Sequence, residues 1–559
     1  MRRVLFVTAA VVAAVIFFGL ATLPPAPLAV DSAGIDPDLI RRTVRGAYHI
    51  HSTRSDGASD KAAIASAAAR AGLKFIIVTD HGDGTTPPDP PAYLSGVLCI
   101  DGVEISTNGG HYVALGMPPS PYPLGGDPAA VVEDVARLGG FGIAAHPDSP
   151  KASLAWTDWE APIDGIEWLN TDSEWRDESR TTLAHVFLHY LVRPGPALAS
   201  MLDRPVTTLK RWDELTKRRP VVALAAHDAH GGIGRGLEES GARKRTLGTV
   251  PSYEASFRTF SDNVILDAPL SGDGAKDGRA VIDAIRHGRV FTVIDAIATP
   301  GLIDFRAWQG DIPKSSNMGV SWPTGPAAMS ARIAMPAGAQ VMLIDRGREY
   351  PGLRPPDYAT GMDPGETIRI EVRLPGAPGS PPVPWLVSNP VYFLAPAPRS
   401  SAAASDELVP LPGDLGWHVE KDPDTNAADS RTTEKVSLQY TLAAGARRSQ
   451  FAALAADLKG GLPGLRQLMF SGSSTGPSRV SVQLRYAQRG GERWGSSVYL
   501  DSNDREVSLP LDRMRPLDRQ TGPAPDAATA SSLLFVIDLT NAKPGDSNSF
   551  TISKVGFSR

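Results

Sequence analysis

The sequence predicts an α/β barrel followed by two smaller all-β domains. Between residues 46 and 300, short apolar segments alternate with helix-like segments, which is typical of parallel strands joined by helical crossovers. After Pro300, strand-like segments separated by Gly- and Pro-rich turns replace this alternation. Because 559 residues exceed what one hydrophobic core normally organises, we expect several domains.

An apolar segment comes first. Val4 to Leu23 follows two arginines, and no further charged residue occurs before Asp31. The segment is long enough to cross a bilayer as a helix, while the sequence GLA at 19–21 could be a signal-peptide cleavage site. Residues 1–30 are therefore interpreted as a signal anchor or a signal peptide. The rest of the chain is expected to be extracytoplasmic, either anchored to the membrane or secreted.

The barrel is expected to span residues 40–300. Its candidate strands lie at 47–51, 75–79, 97–104, 111–116, 141–146, 165–170, 221–227 and 289–294. The first helix is expected between Ser59, a plausible N-cap, and Gly72, a plausible stop. A second helix begins at Asp127, and two more lie within 207–219 and 277–288. Seven or eight strand–helix units predict a closed or distorted barrel.

Two β-domains are expected after the barrel. Residues 301–396 predict a β-sandwich, and residues 413–559, after a linker rich in Ala, Pro and Ser, predict a jelly-roll-like sandwich. Five aromatic residues of the last domain could stack on carbohydrate, although sandwich core is the simpler interpretation. They are Trp417, Tyr440, Tyr486, Trp494 and Tyr499.

Charge and cysteine content limit which partners and which kinds of metal site the chain could have. The chain has 56 Lys and Arg against 61 Asp and Glu, a formal charge of -5, and no long run of one sign. Charge therefore gives no indication of a nucleic-acid partner. Cys99 is the only cysteine, which excludes an intramolecular disulfide and a Cys-rich zinc site. A metal would have to bind nitrogen and oxygen ligands.

Histidines are concentrated in the barrel region. Ten of the eleven lie between His49 and His287, and most of them stand at the end of a predicted strand. His49 and His51 are two apart on a strand, so both imidazoles project to the same face. The carboxyl ends of barrel strands meet at one rim, where residues distant in sequence converge. The candidate metal ligands are His49, His51, Asp56, His81, Glu104, His111, His146, Asp228 and His230.

This residue set predicts a metal-dependent hydrolase. It can hold more than one divalent ion, for which manganese, zinc and iron are candidates. A carboxylate such as Glu104 can bridge two ions, and a metal-bound hydroxide attacks esters near neutral pH. Arg54, in the loop between His51 and Asp56, could hold a phosphate group through its guanidinium.

The motifs also resemble a known family. GAYHIHSTRSDG, AGLKFIIVTDHGD, GVEIS, HYVALG, AAHP and DAHG are similar, in this order, to the polymerase-and-histidinol-phosphatase (PHP) domain, whose members are mostly metal-dependent phosphoesterases. GIEWLN, WDELTKRRPVVALAAHDAHG and AVIDAIRHGRVFTV resemble the branch that includes carbaryl-type carbamate and ester hydrolases. The resemblance covers about residues 44–300. It departs at His227, where many relatives have a small residue.

The resemblance implies a distorted seven-stranded barrel with up to three metals. It assigns His49, His51, Glu104 and Asp228 to one ion, Glu104, His111 and His146 to a second, and Asp56, His81 and His230 to a third.

Several polar residues of the region have simpler interpretations. His185 and His189 form His-x-x-x-His without the Glu that zinc proteases place after the first histidine, which favours a structural role. His287 precedes Gly288 and is expected to cap a helix. Glu167 and Asn170 could line the rim or serve only as hydrogen-bonding residues there.

Three functions stay open. A phosphoesterase is the main hypothesis, acting on a small-molecule or envelope-associated ester. A carbamate or carboxylic ester hydrolase on the same scaffold is the first alternative. The second is a cell-surface binding protein with a vestigial barrel, in which the β-domains bind carbohydrate or another partner.

Overall fold

The structure, a computed structural model, describes most of the chain. The described residues are 2–232, 250–308, 316–321, 327–351, 358–362, 366–393, 409–410, 416–445, 449–459, 461–517 and 525–558.

Ten α-helices lie within the described residues, all before residue 287. They are α1 (Arg2–Ala21), α2 (Pro37–Arg42), α3 (Lys61–Arg70), α4 (Pro128–Arg137), α5 (Thr171–Asp177), α6 (Arg180–Tyr190), α7 (Pro194–Ala199), α8 (Val206–Thr216), α9 (Tyr253–Phe257) and α10 (Gly274–Arg286).

The four helices expected in the barrel region correspond to α3, α4, α8 and α10. Helix α4 begins as expected, since the Asp127 side chain accepts a hydrogen bond from the amide of Ala129 at 3.1 Å. The expected N-cap Ser59 of α3 is wrong by one residue. Asp60 caps this helix instead, and its carboxylate accepts from the amide of Ala63 at 2.8 Å.

Among the described residues, twelve strands precede residue 300. They are β1 (Leu28–Ala29), β2 (Thr43–Ala47), β3 (Phe75–Val78), β4 (Ala92–Leu94), β5 (Val97–Thr107), β6 (Gly110–Leu115), β7 (Phe141–Ala144), β8 (Gly165–Asn170), β9 (Val222–Ala226), β10 (Ser261–Ile265), β11 (Val290–Val293) and β12 (Ala298–Thr299).

Nine more strands lie in the described part of residues 302–392. They are β13 (Leu302–Trp308), β14 (Ser316–Asn317), β15 (Ala327–Ala334), β16 (Gln340–Asp345), β17 (Arg348–Pro351), β18 (Tyr358–Met362), β19 (Thr367–Arg373), β20 (Leu386–Ser388) and β21 (Val391–Tyr392).

The first region is a mixed α/β structure built on one large sheet. Its strand order is β17-β16-β19-β20-β11-β10-β2-β3-β5-β6-β7-β8-β9, with β21 beside β19 and β4 beside β5. The expectation of uniformly parallel strands is wrong. Parallel pairs join β2 to β3, β3 to β5, β7 to β8 and β8 to β9, whereas β5–β6, β6–β7, β10–β2 and β10–β11 are antiparallel. Strands β5 and β6 form a hairpin because the two residues between them leave no room for a crossover helix.

The segments after β2 and β9 lie side by side. His227 donates its amide proton to Tyr48 O at 3.0 Å, and the amide of Ala229 donates to His49 O at 3.2 Å. The amide of His51 donates back to Ala229 O at 3.0 Å. These bonds join the chain beyond β9, at one end of the sheet order, to the chain beyond β2 in its middle.

Residues 301–396 only partly match the expected separate sandwich. Strands β13, β14, β15 and β18 form a four-stranded sheet of their own. Strands β16, β17, β19, β20 and β21 instead extend the large sheet, because β20 pairs with the open edge of β11. The chain therefore continues one hydrogen-bonded sheet across residue 300.

The C-terminal region is an antiparallel β-sandwich. Its strands are β22 (Val409–Pro410), β23 (His418–Lys421), β24 (Asn426–Arg431), β25 (Lys435–Thr441), β26 (Phe451–Asp457), β27 (Gln467–Ser474), β28 (Ser478–Tyr486), β29 (Glu492–Leu500), β30 (Arg505–Pro510), β31 (Arg515–Pro516), β32 (Ser532–Asp538) and β33 (Ser547–Ser558). Three 3₁₀ turns lie at Ala487–Arg489, Leu511–Arg513 and Ala527–Thr529. Two six-stranded sheets, β24-β25-β33-β27-β30 with β22 and β23-β26-β32-β28-β29-β31, enclose one core.

The aromatic residues considered as a carbohydrate platform lie mainly in the interior. Tyr440, Tyr486 and Trp494 are buried in the sandwich core, and Trp417 packs against it, so the simpler interpretation fits these four. Tyr499 is also buried, but it packs on the α/β region instead, with its ring centroid 6.3 Å from that of Tyr122.

The sandwich contacts the α/β region through a buried ion pair. Arg479, on β28, is fully buried, and its Nε and Nη2 donate to the two oxygens of Asp134 on α4 at 2.9 and 2.8 Å. The same guanidinium reaches Glu133 at 2.7 Å. A paired charge of this kind fixes the two regions against each other.

Candidate metal centre

Three residues of the cluster stand in the same backbone position. His49, His146 and Asp228 each lie two residues past the end of a strand, β2, β7 and β9 respectively. Their φ angles are 61°, 30° and 44°, in the left-handed region that non-glycine residues rarely adopt. Such conformations cost about 1–3 kcal/mol each and persist where a functional arrangement requires them.

Glu104 lies at the centre of the cluster. Its Oε2 is 3.2 Å from His49 Nε2, 3.3 Å from His51 Nε2 and 3.2 Å from His81 Nδ1. Its Oε1 is 2.7 Å from His111 Nδ1 and 2.9 Å from His146 Nε2. One buried carboxylate thus faces five imidazoles, the arrangement expected of a bridging ligand.

Two further carboxylates complete the set. Asp228 Oδ1 lies 3.6 Å from His49 Nε2 and 3.3 Å from His51 Nε2. Asp56 Oδ2 lies 3.7 Å from His81 Nε2 and 3.3 Å from His230 Nε2. The structure therefore brings together all nine residues that the sequence singled out.

The donor atoms fit a metal better than they fit one another. His49 Nε2, His51 Nε2, His81 Nδ1 and Glu104 Oε2 are buried and have no hydrogen-bond partner. Orphaned buried polar atoms are costly unless something satisfies them. Three groups have ligand atoms within 4.8 Å of one another: His51 with Asp56, His81 and His230; His49 with His51 and Glu104; and His81 with Glu104 and His111. The buried cluster could hold metal ions.

The charges of the cluster oppose one another. Burial alone would lower the pKa of His51, but the negative charges of the neighbouring Asp228 and Glu104 carboxylates raise it to about 10. Burial alone would raise the pKa of Glu104, yet the neighbouring imidazoles hold it well below its ordinary value. The carboxylates are therefore anionic and His51 is cationic at neutral pH. A divalent cation has to displace imidazole protons, so its affinity should depend on pH.

Glu167, on β8, holds two of the histidines. Its Oε1 accepts from His49 Nδ1 at 2.6 Å, which leaves Nε2 of His49 directed at Glu104. Its Oε2 accepts from the amide of His146 and from Asn170 Nδ2, at 2.7 and 2.8 Å. A carboxylate behind a histidine fixes the tautomer and orientation that metal binding requires. Glu167 and Asn170 thus make hydrogen bonds at the rim, which is one of the two roles that the sequence left open for them.

A second support was not anticipated from the sequence. Asp80 accepts hydrogen bonds from the Ser52 amide, the Ser52 hydroxyl and the Ser55 hydroxyl, at 2.7, 2.6 and 2.7 Å. These bonds order the loop that carries His51 and Asp56. The position of Asp80 immediately before His81, at a strand end, was the available signal.

Arg54 is near the cluster but already paired. Its guanidinium lies 2.6 Å from Asp89 and 3.5 Å from Asp101, and the side chain is 55% exposed. With His81 it lines a cavity of about 170 Å³. The other lining side chains are of two kinds: apolar, such as Val103 and Met117, and polar, namely Asp80, Asp83, Thr86 and Asp101.

The histidines outside the cluster have structural contacts. His227 is buried, stacks on Phe260 at 4.1 Å, and lies 3.2 Å from Phe260 O through Nε2. Burial lowers its pKa to about 3, so it is neutral. His287 is the C-cap residue of α10, as expected. His185 and His189 lie against α1.

Comparisons with known proteins identify no family. No family model and no curated protein sequence matches the chain. Among solved structures, the family 11 carbohydrate-binding module of cellulosomal cellulase Lic26A-Cel5E of Clostridium thermocellum is 16% identical, with 28% of this chain and 96% of that chain covered and a TM-score of 0.23. TmCBM61 in complex with β-1,4-galactotriose is 10% identical, with coverage of 26% and 91% and a TM-score of 0.16. Similarities this weak carry no conclusion about ligand or activity.

Proposed function

We propose that the protein is a metal-dependent hydrolase of ester bonds, with phosphoesters as its preferred substrates. One observation carries the proposal. Buried nitrogen and oxygen atoms of His49, His51, His81 and Glu104 face one another at 3.2–3.3 Å without hydrogen bonds. The PHP-like motifs support the same function, and we extend the proposal to a distorted PHP-type barrel over residues 40–300.

The ligands would divide among the ions as the resemblance implies. Glu104 is the natural bridge, since its two oxygens face different imidazoles. Asp228 completes one group with His49 and His51, and Asp56 lies between His81 and His230 in another. Manganese, zinc and iron all accept this nitrogen and oxygen set.

The chemistry follows from this arrangement. Bound divalent ions would supply an activated water and would polarise the P–O or C=O bond of the ester, whose phosphorus or carbon atom is attacked. The chain's own contribution is to hold the ligands in place, through Glu167 on His49 and through Asp80 on the loop of His51. Arg54, beside the cavity next to His81, is the candidate to contact the anionic part of a substrate.

The cavity favours a second candidate function. Apolar side chains such as Val103 and Met117 form part of its lining, and three aspartates also line it. The guanidinium of Arg54 is already paired with Asp89 and Asp101. A carboxylic ester or carbamate with an apolar substituent would fit these surroundings. Binding without catalysis is less favoured, because burying so many ionisable groups is costly unless they serve a site.

Hydrolysis assays separate these candidates. The full chain, loaded in turn with manganese and zinc, is assayed on p-nitrophenyl phosphate, bis-p-nitrophenyl phosphate, p-nitrophenyl acetate and 1-naphthyl N-methylcarbamate. We expect phosphoester turnover that is lost in His49→Ala and kept in His287→Ala, a matched histidine outside the cluster. Turnover of the acetate or carbamate alone would favour the second candidate function. If none of the four substrates were hydrolysed, this would contradict the proposal that the protein is a hydrolase.

A further inference from the structure

Outside α1, the most exposed large apolar side chains of the described residues lie mainly around the end of α6. Phe187, Leu191 and Val192 are 58%, 72% and 54% exposed, and they lie at the end of α6 or directly after it. Large side chains exposed together in this way usually mark an interaction surface. We call these three residues the α6 patch.

The end of α1 packs beside the α6 patch. The rings of Phe18 and His185 are 5.6 Å apart. Gly19 approaches α6 so closely that a Cβ at its position would lie 3.0 Å from Leu188 Cδ2. His185 and Leu188 are on α6, so the last turn of α1 and this helix are in direct contact.

Polar contacts fix the chain just after α1. Thr22 Oγ1 lies 3.0 Å from Nε2 of His189, and the Arg193 guanidinium donates to Pro24 O at 2.6 Å. These bonds fix the position of α6 along the axis of α1, because they join the residues just after α1 to the end of α6 and the turn that follows it.

Helix α1 is long and apolar enough to span a membrane, and its apolar window is not buried in the protein. At 1.5 Å per residue, Thr22 lies about 27 Å along the helix axis from Val4. The hydrocarbon core of a bilayer is about 30 Å thick. With the N-terminal arginines on the cytoplasmic side, the part of α6 that touches Phe18 and Thr22 lies at the outer boundary between acyl chains and headgroups.

The charges near the α6 patch suit a lipid surface. No Asp or Glu occurs from Arg180 to Leu202, whereas Arg180 and Arg193 flank α6 and the turn after it. Arginine at an interface can direct its guanidinium to lipid phosphates, while apolar neighbours enter the acyl region.

We propose that the α6 patch inserts into the outer membrane–water interface beside α1, so that the protein contacts the bilayer at two places. The occupant of this surface is lipid. The proposal does not depend on hydrolase activity.

Fluorescence quenching by lipids tests this contact. Phe187→Cys and Leu191→Cys are each labelled with the fluorophore NBD in the full chain, reconstituted in phosphatidylcholine–phosphatidylglycerol nanodiscs. The native Cys99 is buried, so labelling is directed to the new cysteine. Asp504→Cys, an exposed position on the sandwich, is the matched control.

We expect blue-shifted emission at 187 and 191. Lipids with a nitroxide near the headgroup end of the acyl chain should quench it more than lipids with a nitroxide at the methyl end. The probe at 504 should show neither effect. The proposal would be overturned if the probes at 187 and 191 had the same emission wavelength and the same quenching as the probe at 504. Shielded probes that nitroxide lipids do not quench would also overturn it, since protein would then cover the patch, as would a mature chain found to lack α1 by N-terminal sequencing.

Discussion

Replacing Glu167 by Gln should weaken metal binding without unfolding the protein. Glu167 uses both oxygens: Oε1 accepts from His49 Nδ1, and Oε2 accepts from the His146 amide and Asn170. The amide of Gln offers one acceptor oxygen and presents an NH₂ group to partners that are themselves donors. One side of this arrangement must therefore open, and His49 or His146 loses its fixed orientation.

The size of the effect follows from the role of Glu167. Outer partners of metal-binding histidines typically contribute 10–100-fold in affinity, which is about 1.4–2.7 kcal/mol. Isothermal titration with manganese or zinc measures this directly on the full chain. Glu167→Asp, one methylene shorter, should recover only part of the affinity because it cannot reach both histidines.

Glu174→Gln is the matched control. Glu174 is also buried, but it accepts from the amide of Asp203, away from the cluster. Burial raises its pKa to about 8, so the substitution replaces a largely protonated carboxyl at neutral pH. Metal affinity should be unchanged in this variant. The reasoning is refuted if Glu167→Gln binds metal as tightly as the unmodified chain, or if both variants lose affinity equally.

The remaining predictions concern pH, the substrate and the sandwich. Metal affinity should rise from about pH 6 to about pH 8. A metal has to displace the proton of His51, whose pKa is raised to about 10, and proton competition falls as the pH increases. A metal affinity that falls or stays constant over this range, measured by isothermal titration, would contradict the charges assigned to the cluster. Arg54→Ala should raise the KM for a phosphoester about tenfold at unchanged metal content, as expected for a lost charged hydrogen bond, and an unchanged KM would limit Arg54 to its ion pairs with Asp89 and Asp101. Arg479→Met should lower the free energy of unfolding by about 1.5–3 kcal/mol, because it removes charged hydrogen bonds from buried Asp134, which keeps its ion pair with Arg137. Urea denaturation checks this, and a change well under 1 kcal/mol would mean that the ion pair does not hold the sandwich in place.

The local pattern of the sequence was enough to predict the longer elements of the first region, but not its shorter helices or β10. Apolar periodicity placed α3, α4, α8 and α10, and the alternation of short segments placed β3, β5, β6, β7, β8, β9 and β11. The expected first strand was wrong: β2 ends at Ala47, so His49 and His51 lie beyond this strand and not on it. The periodicity could not give strand direction. Whether β6 runs parallel or antiparallel to β5 depends on a two-residue turn and on long-range pairing, which apolar spacing does not report.

The extension of the large sheet past residue 300 was also beyond the sequence. The amino-acid sequence of β11 does not indicate whether its edge stays unpaired or pairs with β20. Only the pairing partner, about a hundred residues later in the chain, decides the matter.

The candidate site was more predictable than the sheet. Residue type and strand-end position selected His49, Glu104 and the other seven candidates, and these lie together in the structure. What the sequence could not give were the contacts behind them. The hydrogen bonds of Glu167 and Asp80 depend on backbone positions, as do the left-handed conformations of His146 and Asp228.

Metal analysis of the full chain tests the central claim most directly. The protein is loaded with manganese or zinc, dialysed against metal-free buffer and measured by inductively coupled plasma mass spectrometry, beside a His49→Ala, His51→Ala variant and His287→Ala. The account predicts more than one ion per chain in the unmodified protein and in His287→Ala, with at least one ion lost in the double variant. A chain that retains no metal, or a double variant that retains as much as the unmodified protein, would contradict it.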